Sequence, residues 1–442
     1  MFFLTSLQFY NSEISASSYK MGFWASLCPA VFLLLLLSTT LMSETNNTVN
    51  QIMKSAPLID GHNDLALQLR RYFNNNLTGL DLNTLKKTHT NINKLKEGNV
   101  GAQLWSAYVL CSSQYKDAVR LTMEQIDVIK RMCRKYEEFN LVTTSEGIRN
   151  TTDKIACLIT IEGGQSIDSS LAALRMFYDL GVRSMSLTHT CHTPWARSTE
   201  EHSDIVPPKS SLTDFGQEVV WEMNRLGMIV DLSHTASDTA KAVLQISKAP
   251  VIFSHSSAFA ICKHRRNVPD NLLKMIKKKK GLVMVNFYCG FVACQKVCNI
   301  SNVADHFDYI KKIAGYKSVG IGGDYDGAVW FPQGLEDVSK YPALIKELLR
   351  RKWTAGELKA VLRDNFLRVF GKVEEVKAKL KNVAASEKEI PLNEITNKSC
   401  RLSLRDVFPT ANSGHSLWKT VPPAFTIVCT VNTYIVSLIL TG

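Results

Sequence analysis

Between Ala56 and Gly371 the chain alternates short, apolar, β-rich runs with longer amphipathic stretches, and it does so eight times. The runs are APLIDGH from Ala56, VGAQLWSAYV from Val100, IACLITIE from Ile155, VRSMSLTH from Val182, MIVDLSH from Met228, PVIFSH from Pro250, GLVMVNF from Gly281 and SVGIGGD from Ser318. Segments of helical period separate them, DAVRLTMEQIDVIKRMCRKY and SLTDFGQEVVWEMNRLG among them. Eight βα units over about 315 residues predict an α/β fold, a (β/α)8 TIM-like barrel with insertions. The 442 residues would also admit two or three domains at about 150 residues each, but one large barrel with trimmed ends accounts for the pattern.

Six of the eight runs finish in, or just before, a residue able to bind a metal or move a proton: His62 and Asp64, Glu162, His189, His234, His255 and Asp324. The carboxyl ends of barrel strands open onto one face, so residues far apart in sequence converge there. A lone strand-end histidine is more often structural than functional. His62 and Asp64 carry more weight, because positions i and i+2 of a strand point the same way and can reach one cation. Imidazole and carboxylate donors without thiolate suit zinc or a similar divalent ion. Two ions sharing a carboxylate would use the whole set and, about 3.5 to 4 Å apart, could hold a hydroxide that attacks as a nucleophile. His189 and Asp324 are then left for oxyanion stabilisation and proton transfer, with Asp326 open as an alternative on the same face. Arg265 and Arg266, about ten residues beyond the His255 strand, are placed to clamp a substrate carboxylate.

The ends read as addresses. An apolar run within Trp24–Met42, too short to span a bilayer, has the shape of a signal-peptide core, so residues 1–43 are expected to be removed, with Met21 a candidate true start. A retained signal anchor is the alternative. Small residues Ala411 to Gly414, a polar spacer and an apolar tail to the last residue form a glycosylphosphatidylinositol (GPI) anchor signal, with attachment at Asn412 or Ser413 and removal of 413–442. A terminal transmembrane helix is the alternative here. The barrel domain would occupy 44–400 and a linker 401–412. Sequons at Asn46, Asn76, Asn150, Asn299 and Asn397 fit an extracellular, surface-displayed glycoprotein. Of the 11 cysteines, loss of Cys28 and Cys429 leaves an odd number, and Cys400, beyond the last helix-like segment, is the candidate for joining two chains. The charge of +12, from 52 Lys+Arg against 40 Asp+Glu, has one true basic run, Lys277–Lys280. Such a run reads as a solvated helix end, and without interleaved aromatics it predicts no nucleic-acid partner.

The motifs IDGHNDL, IEGGQSIDSSL, LTHTCHTPWA, DLSH, VIFSHSSA, RRNVPD and GIGGDYDG resemble, in order from about Leu58 to Phe370, those of the membrane (renal) dipeptidase family. The resemblance implies a metal-dependent amidohydrolase-type barrel that hydrolyses dipeptides, including cysteinyl-glycine and leukotriene D4 type substrates. It implies one zinc on His62 and Asp64, a second on His234 and His255, and Glu162 bridging them. His189 would polarise the carbonyl or its oxyanion, Arg266 would hold the terminal carboxylate and Asp324 would shuttle the proton. It also pairs Cys111 with Cys191 and Cys262 with Cys294, places Cys400 at a disulfide-linked homodimer contact, and leaves Cys133, Cys157, Cys289 and Cys298 as buried or free thiols. Two departures stand out: Gln165 replaces a usual histidine, and Ala66-Leu67 replaces a Pro-Trp pair. Gln165 is expected to tune Glu162 or substrate fit without touching the metal. Two competing readings are a surface-bound barrel kept as a binding or adhesion receptor, and a metal amidohydrolase acting on a cyclic amide or phosphoester.

Overall fold

The computed structural model describes residues 45–200 and 206–401. The expected signal segment, Asn412, Ser413 and the apolar tail lie outside the described residues. All eight runs form strands of one parallel sheet: β1 (Leu58–Asn63), β2 (Val100–Tyr108), β4 (Ile155–Glu162), β5 (Val182–Ser186), β6 (Ile229–Asp231), β7 (Ile252–Phe253), β8 (Leu282–Val285) and β9 (Val319–Ile321). The order β2-β1-β9-β8-β7-β6-β5-β4 closes through β2–β4 pairing from Ala102↔Ala156 to Tyr108↔Glu162. The result is a closed (β/α)8 barrel. A ninth strand, β3 (Phe139–Leu141), lies against the start of β4 outside this circuit; three residues are too few for alternation to register in sequence.

The helices begin and end where local chemistry dictates. Asp214–Leu226 starts at Thr213, whose hydroxyl accepts from Gly216 N–H, and ends at Gly227 with φ 83°. The basic run closes helix Asp270–Lys279, where Lys277, Lys278 and Lys279 face the negative end of the helix dipole.

Alternation along the strands divides the barrel. Ile59, Leu104, Leu158, Ile252, Leu282 and Met284 share a buried apolar cluster with Phe366, Leu367 and Phe370 of helix Asn365–Lys379. Polar groups then gather where the strands end. Gly322 permits this crowding, since a Cβ there would lie 1.9 Å from Ser254 O.

Four disulfides staple the loops: Cys111–Cys191, Cys262–Cys294, Cys133–Cys157 and Cys289–Cys298. The first and second match the pairs that the resemblance implied. The other two correct the expectation of loose thiols at Cys133, Cys157, Cys289 and Cys298. Cys133 sits on helix Ala118–Lys135 and Cys157 in β4, while Cys289 and Cys298 flank one short loop, pairings that spacing alone could not reveal. Cys400 is exposed and is the free cysteine among the described residues. Among the described residues, those up to Thr396 form one compact unit, and those from Asn397 on fall outside it. Asn46, Asn76, Asn150, Asn299 and Asn397 are all exposed.

Candidate metal centre and substrate cleft

The six strand ends converge as the sequence predicts. His62 Nε2 lies 3.1 Å from Asp64 Oδ2 and 3.5 Å from Glu162 Oε1. The same Glu162 oxygen is 3.1 Å from His234 Nε2, 3.3 Å from His255 Nε2 and 3.7 Å from His189 Nε2. Three overlapping triads of donor atoms result: His62, Asp64 and Glu162; Glu162, His189 and His234; His62, His255 and Asp324.

The donor set fits a cation on its own terms. His234 Nε2 and His255 Nε2 are 2.9 Å apart, a spacing that brings two imidazole nitrogens onto one point. Asp64 Oδ1 is buried with no hydrogen-bond partner, which is costly for a carboxylate unless something positive completes it. Burial by itself would raise the carboxyl of Glu162. The four imidazoles around it, His62 first and then His189, His234 and His255, hold it well below its ordinary range. Burial opposes the charge on His62 too, yet Glu162 and Asp64 raise its pKa well above the usual value. His234 and His255 are driven well below theirs, by burial first and then chiefly by neighbouring positive groups.

The backbone is bent to serve this cluster. His234 at φ 68° and Asp324 at φ 63° occupy the left-handed region, which costs about 1–3 kcal/mol per non-glycine residue and recurs at functional sites. Asp324 N–H donates to His62 O at 3.3 Å and Asp64 N–H to Tyr325 O at 3.0 Å, tying the ends of β1 and β9 together.

Beside the cluster lies a cavity of about 310 Å³ lined by Asp64, Glu162, His189, His234, His255, Arg266 and Asp324, with Leu67, Tyr108, Tyr288, Phe291 and Val329 as its apolar and aromatic wall. That volume is at the small end of the roughly 300–1,000 Å³ span of ligand pockets. Arg266 is buried; it donates to Ser256 Oγ and His255 O, each at 3.2 Å, and its Nε has no partner. Arg265 does not join it as a clamp, because its guanidinium turns outward to Thr199 O at 3.3 Å and Glu200 at 3.8 Å. Burial lowers His189 to about 4, leaving a neutral ring packed at tilted angles between Tyr108 and His234, at centroid distances of 4.5 and 4.2 Å.

Burial and the nearby carboxylates of Asp64 and Glu162 push Asp324 up to about 7, against opposing effects of His62 and an Asn286 hydrogen bond. Asp326 is occupied elsewhere, accepting His89 N–H at 2.7 Å and lying 3.3 Å from His89 Nδ1. Gln165 bonds Val109 O at 3.0 Å and not Glu162, so any effect on Glu162 passes through the Gly163 turn, where φ is 101°. Sequence reasoning missed Asn286, Tyr108, Tyr288 and Phe291. Asn286 falls within the GLVMVNF run, just past β8, and Tyr288 directly follows the run, a strand-end position that was the signal for these two.

The sequence profile of the membrane dipeptidases, peptidase family M19, matches residues 46–384. Dipeptidase 3 of Homo sapiens is 50% identical over 354 residues, covering 80% of this chain and 72% of its own length. Dipeptidase 3 of Mus musculus is 51% identical over 347 residues, covering 78% and 70%. Among solved structures, the metallopeptidase dipeptidase AC superposes with a TM-score of 0.66 at 26% identity over 72% of this chain and 98% of its own. A Rhodobacter sphaeroides metallopeptidase, solved with a phosphinate mimic of L-Ala-D-Ala, gives 0.65 at 24% over 72% and 99%.

Proposed function

Since the chain belongs to the membrane dipeptidase family, peptidase family M19, and is a metallo-dipeptidase, we propose that it works with two zinc ions on cysteinyl-glycine and leukotriene D4 type substrates. The observation that carries this reading is the convergence of four imidazoles and three carboxylates beside one small cavity. His62 and Asp64 would hold one ion, His234 and His255 the other, and Glu162 would bridge them. When bound, such a pair supplies water activation at neutral pH and polarisation of the scissile carbonyl.

The chain's own groups would do the rest. Arg266 meets the substrate's terminal carboxylate with a buried guanidinium, the side chain best matched to that acceptor. His189, neutral near pH 7, donates an N–H to the oxyanion as it forms. Asp324, poised near neutrality, takes the proton released by the attacking water and hands it to the leaving amine. Tyr108, Tyr288 and Phe291 exclude water from the reacting centre. Val329, 71% exposed at the cavity rim, supports a substrate with an apolar extension. Family membership and the intact donor set support catalysis over the receptor reading. The single buried Arg266 favours a substrate with a free carboxylate over a cyclic amide or phosphoester.

We place the enzyme on the outer face of the plasma membrane, held by a GPI lipid and joined into homodimers through Cys400. No helix among the described residues is long and apolar enough to cross a membrane. Phosphatidylinositol-specific phospholipase should release it from cells, whereas retention favours a spanning tail; Cys400→Ser should abolish a covalent dimer on non-reducing gels. For the activity, hydrolysis of cysteinyl-bis-glycine and leukotriene D4 by the purified protein tests the substrate assignment. Turnover of simple dipeptides alone would restrict it.

A further inference from the structure

Asp231 ends β6 three residues before His234, and like Ser233, Ser254 and His255 it is buried. Its Oδ1 accepts the backbone N–H groups of Ser233 and Ser254, both at 2.9 Å. Its Oδ2 accepts the Ser254 hydroxyl at 2.5 Å. Three donors converging on one carboxylate is the arrangement of an ionised acceptor.

The proton count then propagates. A hydroxyl owns one hydrogen, and Ser254 directs it to Asp231. Ser254 Oγ therefore meets His255 Nδ1, at 2.8 Å, as an acceptor. Nδ1 must carry the ring hydrogen, which leaves Nε2 with a bare lone pair. Nε2 is the nitrogen 3.3 Å from Glu162 Oε1 and 2.9 Å from His234 Nε2. Ser233 reinforces the placement by accepting the His255 backbone N–H at 3.1 Å.

We propose that Asp231 is a positioning residue for the metal centre: acting through Ser254, it fixes the tautomer and ring orientation of His255 so that Nε2 is held ready for a cation. The inference rests on the reading of His255 as a metal ligand. Partners of this kind typically contribute 10- to 100-fold to metal affinity. The end of β7, which carries Ser254 and His255, also serves the substrate side, because Arg266 is bonded to His255 O and to Ser256 Oγ.

Asp231 could instead merely close the strand end through its two backbone contacts, and the variants separate these roles. Ser254→Ala removes the hydroxyl relay and keeps both backbone N–H groups. Asp231→Asn offers an amide hydrogen to Ser254 and so favours the opposite tautomer. Ser254→Thr preserves the hydroxyl. Zinc retained by the purified holoenzyme is measured by atomic emission after dialysis against graded dipicolinate, with thermal melting as the control for folding. Ser254→Ala and Asp231→Asn are expected to lose zinc at about 10- to 100-fold lower chelator, and Ser254→Thr to stay within about threefold of the native protein.

A folded Ser254→Ala that retains zinc as the native chain does overturns the proposal, whatever happens to Asp231→Asn. A rise in KM with unchanged zinc retention overturns it as well. A native chain that holds no zinc in the same titration removes the metal reading itself and the inference with it.

Discussion

Asn286 Nδ2 donates to Asp324 Oδ2 at 2.8 Å, and the oxygen of the same amide accepts Tyr288 N–H at 2.6 Å. One buried side chain thereby links the proposed acid/base to the aromatic wall of the cleft. Asp324→Asn should keep zinc and substrate binding but lower kcat by about 100-fold or more, the scale of general acid–base catalysis. Metal analysis beside steady-state kinetics checks this; normal turnover would pass the role to another group.

The Asn286 bond favours the ionised form of Asp324, whose pKa burial has already pushed up to about 7. Removing it in Asn286→Ala should move the corresponding limb of the kcat/KM profile to higher pH, because the charged form loses a stabilising donor. An unmoved limb would detach Asp324 from that limb.

Arg266→Met should raise KM for a dipeptide by about 10- to 100-fold, as a charge-assisted hydrogen bond contributes roughly 1.5–3 kcal/mol. A C-terminally amidated dipeptide provides the cross-check. Amidation should harm the native enzyme and make little further difference to the variant.

His306 predicts acid sensitivity away from the cleft. Its Nδ1 accepts Ala258 N–H at 2.9 Å and its Nε2–H meets Val292 O at 2.8 Å, so the folded state uses the neutral ring. Burial lowers its pKa from 6.5 to about 4. Between those values the unfolded chain binds a proton that the folded chain refuses. The contribution is complete above about pH 6.5 and is lost as pH falls towards 4, by up to about 3 kcal/mol. Urea midpoints from pH 7.5 to 4.5 should fall more steeply for the native protein than for His306→Gln.

The loop carrying Phe291 is held by Cys262–Cys294 and by Cys289–Cys298. Replacing both Cys289 and Cys298 with serine should leave the metal in place and raise KM, since Phe291 and Tyr288 line the cleft. Unchanged kinetics would make that bridge purely a matter of stability. Mass mapping without reduction should find four intrachain bridges.

The barrel and its cation cluster were legible because strand alternation and strand-end chemistry are local patterns, and the fold collects the ends of β1, β4, β5, β6, β7 and β9 on one face. Contacts made by long-range closure were not legible. The Arg265–Arg266 pair looked like a double clamp, but neighbouring residues on an irregular loop turned opposite ways. Asp324 and Asp326 were equivalent by spacing, and His89, 237 residues from Asp326, separated them. Asn286 has no signature of its own, because its role exists only once β8 and β9 lie side by side.

Metal content and turnover measured together test the two-zinc dipeptidase most directly. The purified protein, dialysed free of loose metal, should carry about two zinc ions per chain and hydrolyse dipeptides; chelation should abolish the activity and zinc should restore it. A well-folded protein with fewer than about two ions and no hydrolysis of any dipeptide would contradict the account.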